Sequence, residues 1–251
     1  MAGTMVMRSA NPALGDHTFD RVRPLPGTEQ MTLGGTVNKT GLSLLILLFT
    51  ASFIWNRGAD DPALGAWILV SVVAALIVAM VTVFKQTLAP YTTPIYAALE
   101  GVALGGISVI FEARYPGIVS QAVFLTFGTL GALLMAYRSG VVRATENFKL
   151  GVVAATGGIA LLYFLSFILG FFGVSVPLIH SSGTFGILFS VFVVVIAALN
   201  LVLDFDFIEK GVERGAPKHM EWYGAFGLLV TLVWLYLEIL HLLAKLQSRE
   251  R

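Results

Sequence analysis

Apolar positions in this chain run together in blocks, and polar positions fall mostly between the blocks. After residue 40 seven apolar stretches follow one another, at 41 to 56, 64 to 84, 91 to 111, 117 to 137, 150 to 172, 184 to 206 and 223 to 244. Each is close to the roughly 20 residues a helix needs to cross a hydrocarbon layer of about 30 Å. None alternates with a period of two, and a backbone in lipid must bond itself, so these stretches predict helices rather than barrel strands. The pattern predicts an all-α, polytopic membrane protein of seven transmembrane helices with short loops. Residues 39 to 246 form this domain, between a tail at 1 to 38 and a short polar tail at 247 to 251.

The polar remainder orients it. The tail carries Pro12, Pro24 and Pro26 with scattered charges, too little apolar surface to fold alone, and is expected to be disordered. It lacks the apolar core and cleavage site of a secretory signal, so the first span is expected to act as an uncleaved insertion signal. A cytoplasmic N-terminus puts Lys85, Arg138, Arg143, Lys149, Lys210, Arg214 and Lys218 in inner loops, against Arg57 and Arg114 outside, as the positive-inside bias favours. Lys245, Arg249 and Arg251 run against it, because seven crossings leave them outside.

Composition narrows the function. Only 12% of residues are charged, about half the share in a soluble domain. A net charge of +1 provides no field for nucleic acid. There is no cysteine, which removes disulfides, thiolate catalysis and cysteine metal sites. His17, His180, His219 and His241 lack the spacing of a zinc site, and no nucleophile elbow or phosphate loop is visible. The chain therefore does not read as an enzyme, and no cofactor is expected.

The candidate chemistry lies in acids inside the spans. A carboxylate there costs about 2.5 to 3.5 kcal/mol on insertion scales, so each must face protein or water. Glu238 lies on a stripe of Gly224, Gly227, Thr231, Trp234, Glu238, His241 and Lys245, spaced three and four apart on one helix face. The remaining sides are apolar, which predicts that this stripe faces inward and that the last helix is central. The plain alternative is that Glu238 bonds His241 or anchors a neighbour. Asp204 follows Asn200 by one turn, whereas Asp206 points roughly 200° away, where Lys210 offers an ion pair. Glu100 follows Tyr96 by one turn and precedes a Gly101 to Gly105 step suited to close helix contact. Gly128, Gly131, Gly183 and Gly186 offer further such positions.

Three segments resemble something known: LVLDFDFIEKG at 201–211, WLYLEILHLL at 234–243 and LEG at 99–101. They resemble the Bax inhibitor family, also called the transmembrane Bax inhibitor motif family, in a bacterial branch, over most of residues 40 to 246. The resemblance implies a bundle around the last helix and a calcium leak sensing pH through paired carboxylates. On this sequence the pair is Asp204 and Glu238, with Glu100, Asn200, Asp206 and His241 in support. Lys85 is the nearest match to a basic gate residue on the second helix. This chain departs from the pattern in having Glu for the usual Asp at 238 and Asp-Phe-Asp at 204 to 206.

Two adjacent carboxylates titrate as a unit. Ionised, they are hard ligands, but too few to hold calcium other than weakly and transiently. Such contact needs an offset between helices, since Glu238 lies about 15 residues, or roughly 22 Å, along a helix that starts at the end where Asp204 lies. The implied location is the inner membrane, with the bilayer, calcium or other cations, and no nucleic acid as partners. The alternative is a regulatory membrane protein that binds membrane proteases or cell-death and stress factors through its tail.

Overall fold

The computed structural model describes residues 29–173 and 183–249. Seven of its helices are long and apolar enough to cross a membrane: α1 Leu33–Trp55, α2 Leu64–Phe84, α3 Ala89–Arg114, α4 Ile118–Arg138, α5 Glu146–Phe171, α6 Thr184–Glu213 and α7 Met220–Arg249. Hydropathy located their apolar middles. The ends run further because caps and charged turns continue a helix beyond the hydrocarbon. Thr32 caps α1 by accepting from the Gly35 N–H, and Thr145 caps α5 through the Phe148 N–H. A short 3₁₀ turn, Gln86–Leu88, leads into α3, with Pro90 at its start and Pro94 inside it.

Two of the predicted boundaries need correction. Residues 33 to 38, placed in the disordered tail, form the first turns of α1, and Gln30 pairs with Pro217 ahead of them. Residues 1 to 28 lie outside the described residues. Residues 247 to 249, placed in the polar tail, are still α7. That helix is continuous from Met220 to Arg249 and long and apolar enough to cross, and Lys245, which looked misplaced for topology, bonds the Gly186 carbonyl and the Ser190 hydroxyl near the start of α6.

The helices differ sharply in burial. α7 packs against α1, α3, α4 and α6, and 61% of its apolar window is buried, against 11% for α5. α3 lies tightly between α1 and α2. A Cβ on Gly105 would sit 2.6 Å from the Ala51 carbonyl oxygen, and one on Gly101 would strike Thr50 and the Leu47 carbonyl. The Gly101 to Gly105 step is thus a backbone-to-backbone contact of the kind small residues permit. Gly128, Gly131 and Gly183 face open space instead, so the close approach expected at those positions is absent.

Candidate functional site

Glu238 stands on α7 with its side chain turned into the bundle, 6% exposed. The Tyr163 hydroxyl of α5 donates to its carboxylate, 2.9 Å from one oxygen and 3.1 Å from the other. The Trp234 indole N–H, one turn earlier on α7, reaches it at 3.2 Å. The carboxylate is thus held by two aromatics, one from α5 and one from its own stripe. His241 is exposed and packs edge-to-face on Phe111, with centroids 5.4 Å apart.

Tyr163 belongs to a larger pattern. Lys149, Thr156 and Tyr163 recur every seven residues along the inner face of α5, with Val152 and Ile159 buried between them. Each polar tip meets a polar group opposite. Thr156 Oγ1 accepts from the Asn200 amide at 2.9 Å. The Lys149 ammonium lies 3.0 Å from Asp206 and 3.2 Å from Glu146. Asp206 also pairs with Lys210 at 2.8 Å, the partner expected from spacing. Lys149 read as an inner-loop marker, but it is 1% exposed and sits in the first turn of α5. The sequence signal for this pattern is the recurrence of Lys, Thr and Tyr at every seventh position, far less conspicuous than a carboxylate in an apolar run.

Asp204 is fully buried on α6. The register of the α6–α7 hairpin follows from two contacts: Lys245 opposite Gly186 and Ser190, and Ile208 beside Gly224. Asp204 is then level with residues near 229, and Glu238 lies about nine residues, or roughly 13 Å, further along the axis. The helix offset in this arrangement is too small to make a carboxylate pair, so Asp204 and Glu238 stand at different depths. Among the described residues no group of three or more His, Asp or Glu side chains is gathered as a metal site.

The other candidates are local. Tyr96 stands one turn before Glu100 and faces it, and its ring packs on Phe226 at 5.0 Å. Lys85 is an exposed C-cap of α2, and the lysine that meets an α6 carboxylate from a neighbouring helix is Lys149. One acid escaped the sequence reading altogether. Glu221, in the first turn of α7, is fully buried, pairs with Lys39, and accepts from the Thr32 N–H and hydroxyl at 2.9 Å each. A helix N-terminus favours such a charge. Glu221 lies just ahead of the apolar run of the seventh span, outside the stretch in which an acid stands out.

This arrangement, seven spanning helices with carboxylates turned inward from α6 and α7, goes with a match to one family model, described as Bax inhibitor 1 like, over residues 11–248. The chain belongs to the Bax inhibitor 1 like family. No curated protein and no solved structure matches it. Among Bax inhibitor 1 like features, the 201–211 and 234–243 segments that carried the resemblance hold the α6 and α7 acids.

Proposed function

We propose that this protein is a pH-regulated cation leak of the Bax inhibitor type, permeable to calcium, in the cell membrane with its N-terminus cytoplasmic. The observation that carries the reading is Glu238: a carboxylate deep in a spanning helix, bonded by Tyr163 at one end of a polar seam that continues through Thr156 and Asn200 to Lys149 and Asp206. An intramembrane acid is retained at a cost, and a functional role is its usual reason.

The chemistry runs from the proton to the helix. An ionised carboxylate only accepts hydrogen bonds, so Glu238 takes Tyr163 and Trp234 together. Protonation turns one oxygen into a donor and removes the charge that strengthens both bonds. The contact holding α5 at this level then weakens. Because α5 buries little apolar surface, it separates along the seam and uncovers carboxylate, hydroxyl and amide oxygens, hard ligands that a calcium ion can pass between without being stored. The two acids act in this scheme as separate protonation points, Glu238 at the contact between α7 and α5 and Asp204 within the hairpin, rather than as a touching pair.

The test is flux into vesicles holding a calcium dye, at a series of pH values. Flux should rise on acidification. Glu238→Gln, which mimics the neutral acid, should raise flux at neutral pH and flatten the pH response. Protein that conducts no cation at any pH would remove the reading, and a normal pH response in Glu238→Gln would remove this sensor.

A further inference from the structure

A cleft of about 260 Å³ opens between α1 and α4, helices that do not pack on each other, with α3 and α7 as its floor. Its walls include Ala51 and Trp55 from α1 and Val123 and Phe127 from α4, over Gly105 and Leu232. The hydroxyls within reach are already engaged. Ser52 donates to the Phe49 carbonyl, Thr126 to the Ala122 carbonyl, and Ser108 and Tyr236 bond each other at 2.6 Å. Water needs two to four polar partners to stay in such a place, and the cleft does not offer them. Left empty, its lining would forfeit dispersion contacts along the whole length. The occupant is therefore apolar.

Dimensions choose between apolar occupants. The α1 wall runs from Leu44 to Trp55, roughly 16 Å at the rise of an α-helix. Spread over that length, 260 Å³ of room for the centres of water-sized atoms leaves a cross-section of about 16 Å², or about 40 Å² once an atomic radius of about 1.4 Å is added. A helix at least about 10 Å across would need about 80 Å². A single file of methylenes, about 4 Å wide by its carbon contacts, needs about 13 Å². The mouth is flanked by exposed Leu45, Leu48, Phe49 and Phe124, side chains that face hydrocarbon.

We propose that this cleft is a binding site for one acyl chain of a membrane phospholipid, inserted sideways from the leaflet at the α1 C-terminal end. The chain completes the packing that α1 and α4 leave open, and rests on the bonded Ser108 and Tyr236 pair.

The test reconstitutes the full chain in phosphatidylethanolamine and phosphatidylglycerol vesicles doped with a phospholipid bearing a diazirine midway along one chain, then maps the photolabel by mass spectrometry. Label should concentrate on Leu48, Val123 and Phe127 over exposed Leu69 of α2 and Phe164 of α5, which face lipid without a cleft. Val123→Trp, which fills the slot from one wall, should lose cleft label while labelling of α2 and α5 is unchanged. Leu48→Trp, from the other wall, should do the same, so that a misfolded single variant, recognised by altered α2 and α5 labelling, does not decide the outcome. Even labelling of all lipid-facing helices, cleft label indifferent to both tryptophans, label from a diazirine free fatty acid but not from the phospholipid, or crosslinks to a second copy at these positions would each overturn the proposal.

Discussion

α3 and α5 are both crossings of the same bundle, yet they are held by opposite means. α3 lies against α1 through Gly101 and Gly105, where backbone meets backbone. α5 touches the bundle through the tips of Lys149, Thr156 and Tyr163, with Val152 and Ile159 between. Lipid tails are as apolar as leucine, so helices in a bilayer gain little by hiding apolar surface from lipid and associate by close packing or by polar bonds. Close backbone packing has no proton to gain or lose. Polar tips do, which makes α3 the fixed part and α5 the adjustable one.

The largest effect should come from breaking the fixed side. Gly105→Val puts a branched side chain where even a Cβ would lie 2.8 Å from the Ala51 Cα. Overpacking of that kind costs about 3 kcal/mol, and the atoms in the way are backbone, so there is no rotamer to yield. Gly131→Val, in another spanning helix but with nothing within 4 Å of its Cβ, should stay within about 0.5 kcal/mol of the parent. Unfolding measured in lipid bicelles compares the two. Equal losses would mean that small residues on α3 and α4 do the same work, and the contrast would collapse.

The adjustable side should fail more gently and locally. Lys149→Met keeps the length of the side chain and removes its charge, leaving Asp206 with Lys210 at 2.8 Å. The cost should be about 1 to 3 kcal/mol, that of a buried acceptor losing one charged partner. Hydrogen exchange should rise along α5 and stay unchanged in α1 and α3. Faster exchange in all three helices would show that α5 is not an independent part.

These two sides were not equally legible in the sequence. The seven crossings and the Gly101 to Gly105 contact follow from apolar length and from a spacing of four, both properties of a single helix. The acids of α6 and α7 were visible because a carboxylate in an apolar run stands out. Their separation was not, since it depends on the register of the α6–α7 hairpin, set by contacts such as Ile208 with Gly224 and Lys245 with Ser190 between residues distant in sequence. Lys149, read as an inner-loop charge, and Glu221, not singled out at all, share a related cause. Each sits at a helix start beside the predicted membrane boundary, where a charge is usually solvated, and each is buried only because another segment covers it.

The smallest expected effect lies on the fixed side, at the turn before α7. There the Met31 N–H donates to the Ala216 carbonyl at 2.6 Å and the Lys218 N–H to the Glu29 carbonyl at 3.0 Å, tying the approach to α1 onto the turn. His219 is half-buried beside these bonds, its Nε2 atom has no hydrogen-bond partner among the described residues, and burial lowers its pKa from 6.5. The N-terminus of α7, which begins at Met220, disfavours a cation there as well. The folded state therefore prefers the neutral ring, while the unfolded chain takes up a proton first as pH falls through 6.5. The contribution is complete above that value and is lost as pH drops toward the folded pKa. Its size should be under about 1 kcal/mol, because the half-exposed ring is screened by solvent. Amide exchange at Met31 and Lys218, taken relative to intrinsic rates, should quicken over this range, and His219→Asn should remove the change. If the acid response persists in His219→Asn, the fixed side has another titrating group and its contrast with α5 is one of degree.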